Sequence, residues 1–194
     1  MENEFNQTKG ISKHLKRSVY GTQFIILVIA LICIWFFIGY SNFTMNHISL
    51  NSHDIVFYGI GGGLLLIIFN ILLNVLIPER LLDDGGFNKQ FFSSLSLIEI
   101  SFLCILISLS EELMFRGFLQ TKFGIIIASI IFALVHFRYV KKIVLLTVVL
   151  LESFFLGYLY LITANLIVVI VTHFILDYVL GLYMKFSMER EENE

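Results

Sequence analysis

The sequence predicts an all-α integral membrane protein, a bundle of about six transmembrane helices with a polar site near the bilayer midplane. Hydrophobic residues make up 58% of the 194-residue chain, whereas soluble domains contain about 45–50% apolar residues. The apolar runs are about 20 residues long and do not alternate with polar residues, which is typical of membrane helices rather than of barrel strands. The formal net charge of −2 argues against a nucleic-acid partner.

The predicted spans follow one another along the whole chain. They are residues 21–40, 55–77, 97–120, 123–139, 143–162 and 166–184. Residues 1–20 and 185–194 are polar tails, the first two spans (21–77) carry no chemical motif, and residues 78–184 contain every candidate site residue. We therefore expect one membrane domain over residues 1–194.

The first two spans have simple explanations in the local sequence. The run after residue 20 is long and no small-residue cleavage site follows it, so we interpret it as an anchor and not as a signal peptide. Four glycines within residues 59–63 predict a close approach between the second span and another helix. Asn70 and Asn74 lie one turn apart, which favours an interhelical hydrogen bond over catalysis. Pro78 ends the span, and residues 83–86 predict a turn.

The last four spans are separated by short connections. A turn around residues 121–124 divides the third span from the fourth, and residues 163–165 divide the fifth from the sixth. Glu99 lies near the inner end of the third span, where its side chain can reach the interface. Glu152 lies in the middle of the fifth span without an evident partner, and it could line the site or pair with Arg138.

The distribution of basic residues predicts the orientation of the chain. With the N-terminus inside, eleven of the thirteen Lys and Arg residues fall in inner segments, and only Lys122 lies outside. Because Lys and Arg concentrate on the cytoplasmic side of membrane proteins, we expect a multi-pass protein of the cell membrane with both termini in the cytoplasm.

Three charged residues, Glu111, Glu112 and Arg116, lie inside the third span. Each costs about 2.5–3.5 kcal/mol on insertion scales, so charged residues in spans are rare and usually functional. Glu112 and Arg116 are four residues apart with the acid first, which predicts an ion pair. Glu111 lies about 100° away around the helix and is left without a partner.

Three more ionisable residues occupy later spans: His136 in the fourth, and His173 and Asp177 one turn apart in the sixth. Counted from the outer ends of their helices, these residues and Glu111 lie roughly 12–20 Å deep, in one broad layer. Two imidazoles and a carboxylate are a common ligand set for zinc. The layer therefore predicts a divalent metal at His136, His173 and Asp177, with Glu111 activating a bound water. Hydrogen-bonded helix contacts or a transporter's proton relay are the alternatives, although no inverted repeat is evident.

These residues form three ordered motifs that resemble those of the CPBP intramembrane proteases, also called the CAAX prenyl protease or Abi family. The motifs are Glu111-Glu112-x-x-x-Arg116, Phe132-x-x-x-His136 and His173-x-x-x-Asp177. Phe115-Arg116-Gly117, and Phe155-Leu156-Gly157-Tyr158 ahead of Thr163-Ala164-Asn165-Leu166, are also similar to the family. The resemblance covers about residues 78–182.

The resemblance implies an intramembrane endopeptidase that acts on a membrane-associated peptide or protein. It implies that Glu111 is the general base, and that His136 and His173 hold the water or a metal and stabilise the oxyanion. Asp177 matches a position taken by Asn or Asp, and Glu112 and Arg116 support the site. A prenylated substrate does not follow, because six spans are fewer than the eukaryotic enzymes have. Since bacterial members are linked to bacteriocin self-immunity, the alternative is a non-catalytic immunity or scaffold protein with the same fold.

Overall fold

The computed structural model describes the backbone of residues 2–191 and the side chains of residues 14–191. Every regular element in this part of the chain is helical, which confirms the all-α prediction. The helices are α1 (Glu2–Phe37), α2 (Tyr40–His47), α3 (Ser52–Leu76, π-helical over Ile55–Ile60), α4 (Glu79–Leu82), α5 (Phe87–Ser93), α6 (Leu97–Glu112), α7 (Thr121–Val135), α8 (Ile143–Thr163) and α9 (Leu166–Glu191). A π-helical segment, Leu113–Gln120, continues α6, and a 3-10 turn, Phe137–Tyr139, follows α7. The predicted tails fall partly on residue 1, the side chains of residues 2–13 and residues 192–194, which lie outside the described residues.

Five continuous helices in the described residues are long and apolar enough to cross a membrane. They are His14–Phe37, Ser52–Leu76, Leu97–Val135, Ile143–Thr163 and Leu166–Glu191. The first of these segments is part of α1. The third contains both the third and the fourth predicted spans, and it is not straight.

Gly124 divides this third helix into two. Its φ of 82° and ψ of 168° are not helical, and a positive φ is readily accessible only to glycine. The chain reverses here, because the rings of Phe115 and Phe132 lie 4.8 Å apart, whereas a straight helix would separate the two residues by about 25 Å. α7 therefore folds back on the π-helical segment, and the chain makes about six passes, as predicted.

α7 ends at Val135, so the fourth predicted span, which reached residue 139, was too long. A further helical turn would use the carbonyl of Phe132 to accept from the backbone N–H of His136. The His136 imidazole takes that position instead, with Nδ1 2.8 Å from the Phe132 oxygen. The His136 N–H bonds the carbonyl of Ala133 at 3.2 Å, and the helix stops.

α9 lies at the centre of the bundle and packs against α3, α5, α6 and α8. Its contact with α3 depends on the glycines noted above. A Cβ atom on Gly63 would lie 2.8 Å from Cγ2 of Ile175, and one on Gly62 would lie 2.8 Å from Cδ1 of Leu159. The predicted close approach is confirmed at these two positions.

The connection between α3 and α6 is folded tightly against the bundle. The Asp83 carboxylate accepts from the backbone N–H groups of Gly85 and Gly86, both at 3.0 Å, which forms the predicted turn. α6 then begins with a capping box, in which Ser96 and Glu99 each bind the other's backbone N–H. Glu99 also pairs with Lys16 of α1 at 3.1 Å, so this carboxylate has a protein partner.

Candidate active site

The C-terminal end of α6 and the π-helical segment bury three charges together. Glu112 and Arg116 are fully buried, and Glu111 is 8% exposed. The helix widens immediately after Glu112, where the hydrogen bonds change from the α to the π pattern. Single π-helical turns inside α-helices occur frequently at functional sites. The charged turn of α6 is therefore the natural centre of a site.

Glu112 joins this turn to the histidine motif of α9. Its Oε1 lies 2.7 Å from Nδ1 of His173, and Nε2 of the same imidazole lies 3.5 Å from Oδ2 of Asp177. His173 is buried, whereas the Asp177 side chain is 25% exposed. The imidazole thus lies between two carboxylates, within hydrogen-bond distance of Glu112 and at 3.5 Å from Asp177, and these contacts disfavour any other ring orientation.

Arg116 occupies the other side of Glu112, with Nε 3.3 Å from Oε2, as the four-residue spacing predicted. Its Nη2 donates to the carbonyl and the hydroxyl of Ser153 in α8, at 3.1 and 3.2 Å. The guanidinium carbon lies 5.1 Å from the ring centroid of Phe132 in α7, within the range of a cation–π contact. One arginine therefore connects α6, α7 and α8 around the buried acid.

Glu111 has a neutral partner that the sequence did not lead us to expect. Nε2 of Gln23 in α1 donates to Glu111 Oε1 at 2.9 Å, and the Ser110 hydroxyl donates to Gln23 Oε1. Among the described residues Glu111 makes no ion pair. The missed signal was a single amide in an otherwise apolar run, because a polar residue in a span commonly binds another helix.

His136 stands apart from the other candidates, at the end of α7. Its Nδ1 faces a carbonyl, which can only accept, so Nδ1 carries the proton and Nε2 of the neutral ring is the acceptor. The Phe132 ring lies between the two imidazoles, with centroids 4.8 Å from His136 and 6.2 Å from His173. The structure therefore brings Glu112, His173 and Asp177 into contact, and places His136 across an aromatic ring from them.

The predicted metal ligands do not form a ligand set in this arrangement. In the part of the chain that the structure describes, no three His, Cys, Asp or Glu side chains are grouped so that they could hold a metal ion. Both ring nitrogens of His173 face carboxylates, so neither is directed with His136 toward a common point. His136, His173 and Asp177 do not fit a bound metal here, and the chemistry below uses none.

Two connections between helices close the bundle next to His136. Nη2 of Arg138 lies 2.9 Å from Oδ2 of Asp84, and Asn88 donates to the hydroxyl of Tyr139 at 2.8 Å. Burial raises the pKa of Tyr139 above its ordinary value of 10.0, so the hydroxyl is neutral and accepts this bond. The Tyr139 ring lies 6.1 Å from that of His136. The contact between Tyr139 and His136 places these two connections next to the candidate site.

The remaining carboxylate of the spans, Glu152, is bound by a neighbouring helix. Nδ2 of Asn70 donates to Glu152 Oε1 at 2.7 Å, which confirms the interhelical role predicted for Asn70. Asn74 instead donates to the backbone carbonyl of Asn70. Because Arg138 pairs with Asp84, the alternative pairing of Glu152 with Arg138 was wrong.

Comparisons with known proteins agree with the arrangement of motifs. The family model described as "Type II CAAX prenyl endopeptidase Rce1-like" matches residues 93–179, which include all six predicted site residues. The chain is also 37% identical over 171 residues to "Uncharacterized protein YpbD" of Bacillus subtilis (strain 168). That alignment covers 88% of this chain and 90% of YpbD. No solved structure matches the chain significantly.

Proposed function

Since the chain belongs to the type II CAAX prenyl endopeptidase Rce1-like family, a CPBP family, we propose that it is an intramembrane endopeptidase. Its substrate is a membrane-associated peptide or protein. The observation that carries the proposal is the buried hydrogen bond between Glu112 and His173. This bond places the His-Asp motif of α9 against the acidic turn of α6, two spans that are distant in sequence.

In the proposed reaction Glu111 is the general base. It takes a proton from a water molecule while the water oxygen attacks the carbonyl carbon of the scissile peptide bond. The carbon–nitrogen bond then breaks, and the proton passes to the leaving nitrogen, which gives a carboxylate and an amine. Gln23 engages one oxygen of Glu111, and the second oxygen serves the water.

The two histidines have different parts in this proposal. His173, held between Glu112 and Asp177, would stabilise the oxyanion as it forms. His136 uses Nδ1 for the Phe132 carbonyl, so Nε2 is the ring nitrogen that would bind the attacking water. Asp177 orients His173, while Glu112 and Arg116 fix the helices around it. The predicted zinc ion has no role here, and metal analysis with activity after chelation tests that prediction separately.

Purified protein with a library of membrane-anchored peptides tests the proposal directly. We expect the wild type to cleave at least one peptide and Glu111→Gln to lose about 10²–10⁴-fold in rate, because the amide cannot accept the proton. Glu99→Gln removes a carboxylate from the start of the same helix, where it pairs with Lys16, and it should cleave normally. If Glu111→Gln keeps full biological function in cells, the protein does not act as a protease and the immunity or scaffold function replaces it.

We also propose that both termini lie in the cytoplasm of the cell membrane. The proposal rests on the concentration of Lys and Arg in the inner segments. It places Arg138, Asp84 and Tyr139, the connections next to His136, on the cytoplasmic side.

A further inference from the structure

Gln23 is a buried polar residue in a helix that contributes no motif. It is 8% exposed, and it lies outside residues 93–179, the segment that matches the family. An amide buried in a low-dielectric environment is costly unless both its donor and its acceptor are satisfied. A buried Gln23 is therefore expected to form hydrogen bonds with a neighbouring helix.

Both ends of the Gln23 amide face the acidic turn of α6. Nε2 donates to Glu111 Oε1 at 2.9 Å, and Oε1 accepts from the hydroxyl of Ser110. The partners are adjacent in sequence, so the two bonds hold the amide in one plane against one turn of helix. Glu111 accepts from the amide N–H, and the Ser110 hydroxyl donates to the amide oxygen. This arrangement matches the groups available, because a carboxyl oxygen accepts from the amide N–H and a hydroxyl donates to the amide oxygen.

We propose that Gln23 is a positioning residue for the hydrolysis, and that α1 thereby completes the active site. The inference rests on the proposed function, in which Glu111 is the general base. By occupying Glu111 Oε1, the Gln23 amide leaves Oε2 to receive the proton from water and restrains rotation of the carboxylate. Glu111 is thus held in one orientation, with Oε2 left to act as the base.

A purely structural contact between α1 and α6 would behave differently. Loss of such a contact lowers stability and the amount of folded protein, but each folded molecule keeps its turnover rate. Loss of a positioning contact lowers kcat in folded protein and leaves substrate affinity almost unchanged, since Gln23 itself does not touch the substrate. The division between kcat and KM therefore separates the two roles.

The experiment compares Gln23→Leu and Gln23→Glu with the wild type in the peptide assay, with thermal unfolding measured in parallel. Leucine removes both hydrogen bonds and is favourable within a span. Glutamate keeps the shape but replaces the donor with a second carboxyl group. We expect each change to lower kcat about 10–100-fold, part of what a general base contributes, while KM stays within about twofold. Thr22→Val is the matched control, because Thr22 is exposed and, among the described residues, its hydroxyl binds the Ser18 carbonyl of its own helix alone.

The outcomes separate this inference from the proposed function. If Glu111→Gln abolishes cleavage but both Gln23 variants keep the wild-type kcat, Gln23 is not a positioning residue and the protease function stands. A lower melting temperature with unchanged kcat in the folded fraction would likewise overturn the inference, in favour of a structural contact. If the wild type cleaves no peptide and Glu111→Gln has no effect in cells, the proposed function fails and the inference fails with it.

Discussion

Glu112 holds two partners from different parts of the chain, Arg116 on its own helix and His173 on α9. A fully buried carboxylate is stable only while such partners remain, because the cost of removing a charge from water exceeds what one neighbour returns. Glu112 transfers no proton in the proposed reaction, but the geometry of the site depends on it.

Arg116→Ala tests this dependence. It leaves the Glu112 charge with one partner, frees the Ser153 carbonyl and removes the contact with Phe132. We expect unfolding to become easier by about 3–5 kcal/mol, measured as a lower melting temperature and a lower yield. Arg138→Ala breaks the partly exposed pair with Asp84 and removes a contact with the Phe87 ring, and it should cost about 1–2 kcal/mol. Equal melting temperatures for the two variants would mean that the buried pair is not structural.

At the scale of elements, α3 and α9 approach closely because glycines remove the side chains between them. Gly62 and Gly63 face Leu159 of α8 and Ile175 of α9 at distances that leave no room for a methyl group. Gly61, in the same turn, faces open space. Because Gly63 has no room for a methyl group and Gly61 does, alanine substitutions at the two positions test the contact.

We expect Gly63→Ala to destabilise the protein by about 1–3 kcal/mol, because Cβ of Ile175 is part of a helix and cannot move away easily. Gly61→Ala should be neutral or slightly stabilising, since alanine is favoured over glycine within a helix by about 1 kcal/mol. Thermal unfolding of the two variants in the same detergent measures the difference. If both substitutions have the same effect, the glycines do not set the distance between α3 and α9.

For the molecule as a whole, the proposed orientation in the membrane rests on the distribution of charge. Ser52 begins α3, and Glu79 begins α4 just beyond the other end of α3; both residues are exposed. In a protein with Cys33 and Cys104 replaced by alanine, we expect Ser52→Cys to react with an impermeant thiol reagent on intact cells. Glu79→Cys should react only after the cells are opened. The opposite pattern would reverse the proposed orientation.

Sequence reasoning succeeded where the determining interactions are local. The pairing of Glu112 with Arg116, the turn at residues 83–86 and the reversal near Gly124 all depend on neighbours within a few positions. It failed for Gln23, because a contact across 88 positions depends on how α1 is rotated, and spacing within one span does not determine that rotation. It also failed at residue 136, where a side chain replaced a backbone hydrogen bond and ended the helix early.

The early end of α7 also has a consequence for the lipid. Its 15 residues span about 22 Å at most, less than the hydrocarbon core of about 30 Å. Its surface carries exposed apolar side chains such as Ile126 and Leu134. The lipid acyl chains therefore contact a helix that is shorter than the hydrocarbon core. A bilayer accommodates this mismatch by thinning, which brings head groups and water nearer to His136. We therefore expect faster peptide cleavage in vesicles of short-chain lipids than in long-chain ones, and a rate independent of chain length would contradict this.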